Sequence, residues 1–256
     1  MITPWVADLH IHTLLSPCAE VEMTPHHIVL AAVKAGIRLV AITDHNVSGN
    51  VEAAIRAAAS TDVTVLPGME IETAEEAHLV VLFDTLDAMH AWQAIVDQAL
   101  PPRQNDAQRF GAQLLVDERD EFIAFEDRML LQSTRLTARD VIKQVNALGG
   151  LCIASHIDRP AYSLLGKWGV LPADCGLDAV EISGRFDWRE YTKQNASLLG
   201  GVRAVTNSDA HCMTDFFSGP KTVWHIEKPT IREMRLALRG ERERKVVAGF
   251  YCDRSN

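Results

Sequence analysis

Short apolar runs that end in a histidine, an aspartate or a glutamate recur along this chain, separated by segments of helical periodicity, and that order confines it to a sheet whose strand ends gather polar groups. Residues 5–12 alternate apolar and polar with a period of two, which predicts a strand that turns His10 and His12 to one side. Thr24 before Pro25 marks a helix start, and Ile28, Val29, Ala32 and Val33 supply an apolar stripe ending near Gly36. Strands are predicted over 37–43 and 63–66, the latter running into Gly68-Met69-Glu70, with a helix over 51–60 between them and a further apolar strand over 78–83. Alternation resumes with a helix over 137–148, closed by Gly149 and Gly150, and a strand over 151–154. Further strands fall at 178–182, 202–206 and 222–226, with helices near 188–199 and 230–238. Seven or so strand–helix units predict an α/β fold with a mainly parallel sheet.

Residues 85–132 interrupt the pattern with a helix near 86–100, the pair Pro101-Pro102, and a hairpin in which 114–116 pairs with 122–125 around a charged tip at 117–121. We read 1–256 as one domain with this segment inserted beside the site. A 47% hydrophobic content is enough for a sizeable core. The 25 Lys plus Arg against 34 Asp plus Glu leave a net charge of −9, from which we expect a small phosphorylated substrate and no long nucleic acid. Cys18, Cys152, Cys175, Cys212 and Cys252 include no CxxC pair, so neither a disulfide framework nor a zinc ribbon is indicated. No apolar run approaches the roughly 20 residues that span a bilayer. A cytoplasmic protein without membrane contact is the expectation; the oligomeric state is left open.

The polar residues His10, His12, Asp44, His45, Glu70, His156, Asp209 and His211 follow the apolar runs at their C-terminal ends, the face on which βα barrels build active sites. His78 opens its run instead, and an antiparallel strand would bring it in. Six imidazoles with Glu70 and Asp209 in one pocket would be costly without a cation, so a polynuclear metal site is expected. Nitrogen and oxygen ligands suit zinc, manganese, iron or nickel. His26, His27, His90 and His225 match no such pattern and are read as surface or capping residues, Asp8 as a support for a strand end, and Cys18 as structural.

The ordered segments DLHIHT (8–13), ITDHN (42–46), GMEIE (68–72), HLVVLF (78–83), ASHIDRP (154–160), GLDAVEI (176–182) and NSDAH (207–211) resemble the PHP family, the polymerase and histidinol phosphatase domain. The resemblance implies a distorted (β/α)7 barrel and hydrolysis of phosphate esters with two or three divalent metal ions, here Zn, Mn or Fe. Carried over by motif, His10, His12, Glu70 and Asp209 would hold a first ion, and Glu70, His78 and His156 a second, so that Glu70 bridges. His45 and His211 would hold a third, whose remaining family ligand is replaced here by Pro17; Cys18, Glu20 or Glu22 of the same loop are the available substitutes.

Two cations about 3.5–4 Å apart lower the pKa of a shared water and clamp the phosphoryl oxygens. Arg159 and Arg185 are the expected phosphate-binding residues, with Lys221 a lesser candidate, His211 a candidate leaving-group acid, and Asp44 an orienting group. Glu181 is expected to hydrogen-bond across the barrel mouth. The predicted substrate is a phosphomonoester, a nucleotide or a short oligoribonucleotide. The competing readings are an amidohydrolase-type enzyme and a non-catalytic, metal-stabilised module.

Overall fold

A computed structural model of the chain describes residues 1–184 and 186–251. Its strands are β1 (Thr3–Ile11), β2 (Leu39–Ile42), β3 (Thr64–Glu72), β4 (His78–Leu82), β5 (Leu114–Val116), β6 (Phe122–Phe125), β7 (Leu151–Ala154), β8 (Ala179–Glu181), β9 (Arg203–Val205), β10 (Lys221–Ile226) and β11 (Lys245–Phe250). The helices are α1 (Pro25–Lys34), α2 (Val51–Ala58), α3 (Leu86–Ala99), α4 (Ala107–Phe110), α5 (Ala138–Ala147), α6 (Leu164–Trp168), α7 (Trp188–Gln194), α8 (Met213–Ser218) and α9 (Ile231–Arg239). Local chemistry sets several boundaries. Thr24 caps α1 ahead of Pro25, Thr137 and Asp140 form a capping box on α5, and Gly240 ends α9 in the left-handed region.

The main sheet runs β11-β10-β1-β2-β3-β4-β7-β8-β9. Past the end of β9, Ala210 bridges to Ile11 in parallel: His12 N–H donates to Ala210 O at 3.0 Å and Ala210 N–H to His10 O at 3.3 Å. That bridge brings the ninth strand's continuation back to the first and nearly closes a distorted barrel of the PHP type. The expected mainly parallel order holds only for β1-β2-β3 and β7-β8-β9; β4 runs against both neighbours, and β10 and β11 are antiparallel as well. The reason at β4 is length: the turn between Glu72 and His78 is far too short for the dozen or more residues a parallel crossover needs.

Leu9, Leu39, Leu66, Val80, Ile153, Ala179 and Val205 meet in one buried cluster, drawn from seven strands and plugged by Met234 of α9. A second cluster packs α3 and α5 against the outer faces of β3, β4 and β7, and a third packs α1 and α2 on β2. β1 carries a register irregularity between Asp8 and Ile11. Leu9 joins the inner cluster, yet His10 next to it also faces the barrel mouth, as a bulged strand allows. The segment after α3 forms the β5–β6 hairpin, and side chains of the loop beyond β2 tie it down. Asn46 Nδ2 donates to Leu130 O (2.8 Å) and Gln132 O (2.9 Å), and Asn50 pairs with both Leu114 O and Val116 N. No helix among the described residues is long and apolar enough to cross a membrane.

Candidate metal centre

Each element delivers its polar residue where the barrel opens. β1 carries His10 and runs directly into His12, the loop after β2 carries Asp44 and His45, and β3 carries Glu70. The antiparallel register Glu72↔His78 sets the first residue of β4 beside the last of β3, which explains why His78 opens its run rather than closing it. His156 and Asp209 follow β7 and β9 with φ of +29° and +52°, so both side chains are aimed from a backbone region that non-glycine residues seldom occupy.

Glu70 lies at the centre. Its Oε1 is 3.2 Å from His10 Nε2, 3.2 Å from His78 Nδ1 and 3.4 Å from His156 Nε2; its Oε2 is 3.4 Å from His12 Nε2 and 3.3 Å from His45 Nδ1. Asp209 Oδ1 lies 3.2 Å from His10 Nε2 and 3.3 Å from His12 Nε2. Despite this proximity, Glu70 Oε1, both nitrogens of His78 and Nδ1 of His156 are buried without a hydrogen-bond partner, and the Nε2 atoms of His10 and His12 face one another at 3.2 Å. Ring nitrogens and carboxylate oxygens gathered at this spacing, with Glu70 Oε1 left without a hydrogen-bond partner, are the arrangement a cation requires. Zinc bonds of about 2.0–2.1 Å at tetrahedral angles separate their ligand atoms by about 3.4 Å, the spacing found here. The residues therefore fit divalent metal ions.

Three overlapping groups have ligand atoms within 4.8 Å of one another: His10, His12, Glu70 and Asp209; His45, Glu70 and His78; and His12, His45 and His211. The first is the set expected for one ion. In the second, His45 takes the place expected of His156, although His156 still approaches Glu70. The third contains only imidazoles, and neither Cys18, Glu20 nor Glu22 joins it. His26, His27, His90 and His225 belong to none of the groups.

The electrostatics follow from burial of opposite charges together. Burial alone would raise Glu70 and Asp209, but His10 above all holds both well below the usual carboxylate range. Burial likewise opposes protonation of His10 and His78, yet Glu181, Glu70 and Asp209 lift His10 well above its ordinary value, and Glu70 with Glu72 lifts His78 to about 9. Burial and the neighbouring His12 push His45 well down and His211 to about 4. Protons thus occupy part of the cluster when ions do not. Metal uptake at pH 8 is expected to release protons, and affinity to rise with pH as His10 and His78, the latter near 9, lose theirs. Calorimetric heats that differ between buffers of unlike ionisation enthalpy would bear this out, and identical heats would contradict it.

Around this cluster a second set of groups fixes the imidazoles. Both oxygens of Glu181 lie 3.1 Å from His10 Nδ1 and the carboxylate also accepts from His156 N and Asn207 Nδ2, so the expected contact across the barrel mouth is a clamp on two site histidines. Asp44 accepts from Thr13 N, Thr13 Oγ1 and Ser16 Oγ, each at 2.7 Å, and Ser16 Oγ in turn accepts from His45 N. Asp8 accepts from Ser208 N and Oγ and pairs with Lys221 Nζ at 3.0 Å. Lys221 is therefore no phosphate ligand: it is fully buried, and its ammonium is also bonded to the carbonyls of Phe216 and Gly219.

Arg159 stands at the rim with Nη2 2.6 Å from Asp209 Oδ2 and lines a cavity of about 320 Å³ together with His45, Glu70, His78, Tyr162 and His211. Arg185 lies outside the described residues. Tyr162 had no motif to mark it, whereas Asn207 opens the NSDAH segment and was within reach of the sequence.

Residues 8–168 match the PHP domain. An uncharacterized protein, YqxK of Bacillus subtilis (strain 168), is 27% identical over 201 residues, which cover 74% of this chain and 45% of that protein. Among solved structures, the lesion-specific endonuclease PfuEndoQ of Pyrococcus furiosus superposes with a TM-score of 0.67 at 20% identity, over 95% of this chain and 58% of that one. Endonuclease Q in complex with a 27-mer duplex that carries an abasic lesion at the active site superposes with a TM-score of 0.68, at 20% identity and over the same shares of each chain. This chain thus spans roughly half the length of these relatives.

The last structure corrects one expectation. Long nucleic acid was excluded on net charge, yet a protein of this fold binds a DNA duplex. The exclusion fails physically because net charge sums over the whole surface, whereas a phosphate responds to the local field of the groove it enters. With the barrel, the strand-end motifs in their order and the matched segment all in agreement, the chain belongs to the PHP domain family.

Proposed function

We propose that the chain is a metal-dependent hydrolase of phosphate esters. The observation that carries this reading is Glu70, a buried carboxylate approached at 3.2–3.4 Å by nitrogens of five imidazoles without hydrogen-bond geometry at Oε1. His10, His12, Glu70 and Asp209 would hold one ion and Glu70, His78, His45 and His156 a second, with His211 completing a weaker imidazole site beside His12 and His45. Zinc, manganese and iron all suit these donors. When bound, such ions acidify a water and neutralise phosphoryl charge.

The chain's own residues supply the rest. Arg159 presents guanidinium donors at the rim and, once a phosphate enters, shares its hydrogen bonds between that group and Asp209. His211 can donate Nδ1–H to the Asp209 carbonyl at 2.9 Å, which leaves the Nε2 lone pair at the mouth of the site, suited to hold an ion or to accept a proton from water; the leaving oxygen would take its proton from water. Arg185 is proposed as a second phosphate donor on sequence grounds alone. Nucleotides and nucleic-acid ends belong among the candidate substrates beside small phosphomonoesters.

Protein loaded with Zn, Mn or Fe and offered phosphate mono- and diesters is expected to turn over at least one class, with loss of turnover on chelation and recovery on reloading. Bound metal with no turnover of any phosphate ester would overturn the proposal in favour of a metal-stabilised module. Arg159→Ala is expected to keep its ions and lower kcat/KM by about a hundredfold, the size of effect seen when one donor to developing charge is removed. Loss of metal in that variant, measured by plasma emission, would assign Arg159 a structural role instead.

A further inference from the structure

We infer that Tyr162 is a specificity-determining residue which stacks against a planar ring of the substrate, so that the preferred phosphate ester is that of a nucleotide; this rests on the phosphoesterase reading above. Eight non-glycine residues among those described have positive φ. His156 and Asp209 belong to the metal cluster, and Asn46 anchors the inserted segment through its side chain. Tyr162, at φ +57°, has neither duty. A bulky side chain in this region costs on the order of 1 kcal/mol or more, and such strain persists only where the surroundings impose it. Here the Tyr162 carbonyl accepts from His78 N at 2.9 Å, and the next residue, Ser163, caps α6, so the backbone is held on both sides.

The outcome is an aromatic ring at the mouth of the cavity. Its centroid is 4.8 Å from that of His78, and the residue is 50% exposed, so one face packs on the site and the rest is left to the cavity and solvent. Arg159, three residues earlier, lines the same space. A guanidinium and an open aromatic face beside a cluster suited to cations match a ligand with a phosphate at one end and a flat ring at the other. The cavity volume of about 320 Å³ lies at the lower end of the roughly 300–1,000 Å³ typical of ligand pockets, room for one such unit. Stacking also explains why exposed apolar surface is kept here: every nucleobase has a π face, and one stacked base contributes enough to shift affinity about tenfold or more.

The test is equilibrium binding to the metal-loaded protein, by titration calorimetry, of the non-hydrolysable 5′-phosphonate analogues of adenosine 5′-monophosphate and of ribose 5-phosphate, which share the charged group and sugar and differ in the ring. The unmodified protein is expected to bind the nucleotide at least about tenfold more tightly. Tyr162→Phe should retain that ratio, and Tyr162→Ala should lose it with metal content unchanged. Equal affinities in the unmodified protein, or an undiminished ratio in Tyr162→Ala, would overturn the inference, and loss of ions from Tyr162→Ala would make the residue a mere support for His78. None of these results depends on turnover, so failure of the phosphoesterase reading would be seen separately.

Discussion

Glu70→Ala is expected to strip the protein of its ions and to lower phosphate-ester turnover by a thousandfold or more, on the order of what loss of both charge stabilisation and an activated water implies. Among the described residues the carboxylate is the only one within 3.4 Å of ring nitrogens from all of His10, His12, His45, His78 and His156, so its removal leaves these imidazoles crowded in a buried pocket with Asp209 as the one remaining acid between His10 and His12, while Glu181 and Glu72 stand behind His10 and His78. Charge is lost, and so is the bridge between two candidate ion groups. The fold should survive, because Glu70 contributes its backbone to β3 and its side chain to no apolar cluster. Circular dichroism, metal content and kinetics on one preparation check all three statements. Full turnover with full metal content in Glu70→Ala would refute the bridging role.

The second large effect concerns stability. Asp8 and Lys221 form an ion pair with no exposure to solvent, and removing one partner from such a pair typically costs about 3–5 kcal/mol because the other charge stays buried. Asp8→Ala should therefore lower the urea midpoint sharply, and Lys221→Met in the same chain should recover much of the loss. The pair also holds Ser208, next to Asp209, through two hydrogen bonds. Weaker metal binding is expected to accompany the loss of stability in Asp8→Ala. An Asp8→Ala protein as stable as the unmodified one would contradict the account of this pair.

How far the sequence carried these conclusions differs by residue. His10 and His12 were legible because a period of two survives in β1, and the caps at Thr24 and Thr137 were legible because capping is local chemistry. The bulge between Asp8 and Ile11 was not, since nothing in the alternation of 5–12 marks it. β11 went unread although Val246, Val247, Ala248 and Phe250 are apolar, because the run is short and directly follows a stretch of Arg and Glu. Lys221 looked like a free cation for the same reason that any lysine does: its burial depends on Phe216, Gly219 and Asp8, and Asp8 is distant in the chain. The candidate ion groups were foreseen in composition but not in partition, because the choice between His45 and His156 beside His78 depends on distances of a few ångströms that strand ends alone do not set.

Anomalous diffraction from crystals of the manganese-loaded protein tests the central claim most directly. The account predicts at least two strong peaks, both beside Glu70, one shared with His10, His12 and Asp209 and the other with His78. Peaks confined to the surface, or no ordered manganese at Glu70 in protein that binds the ion in solution, would contradict it.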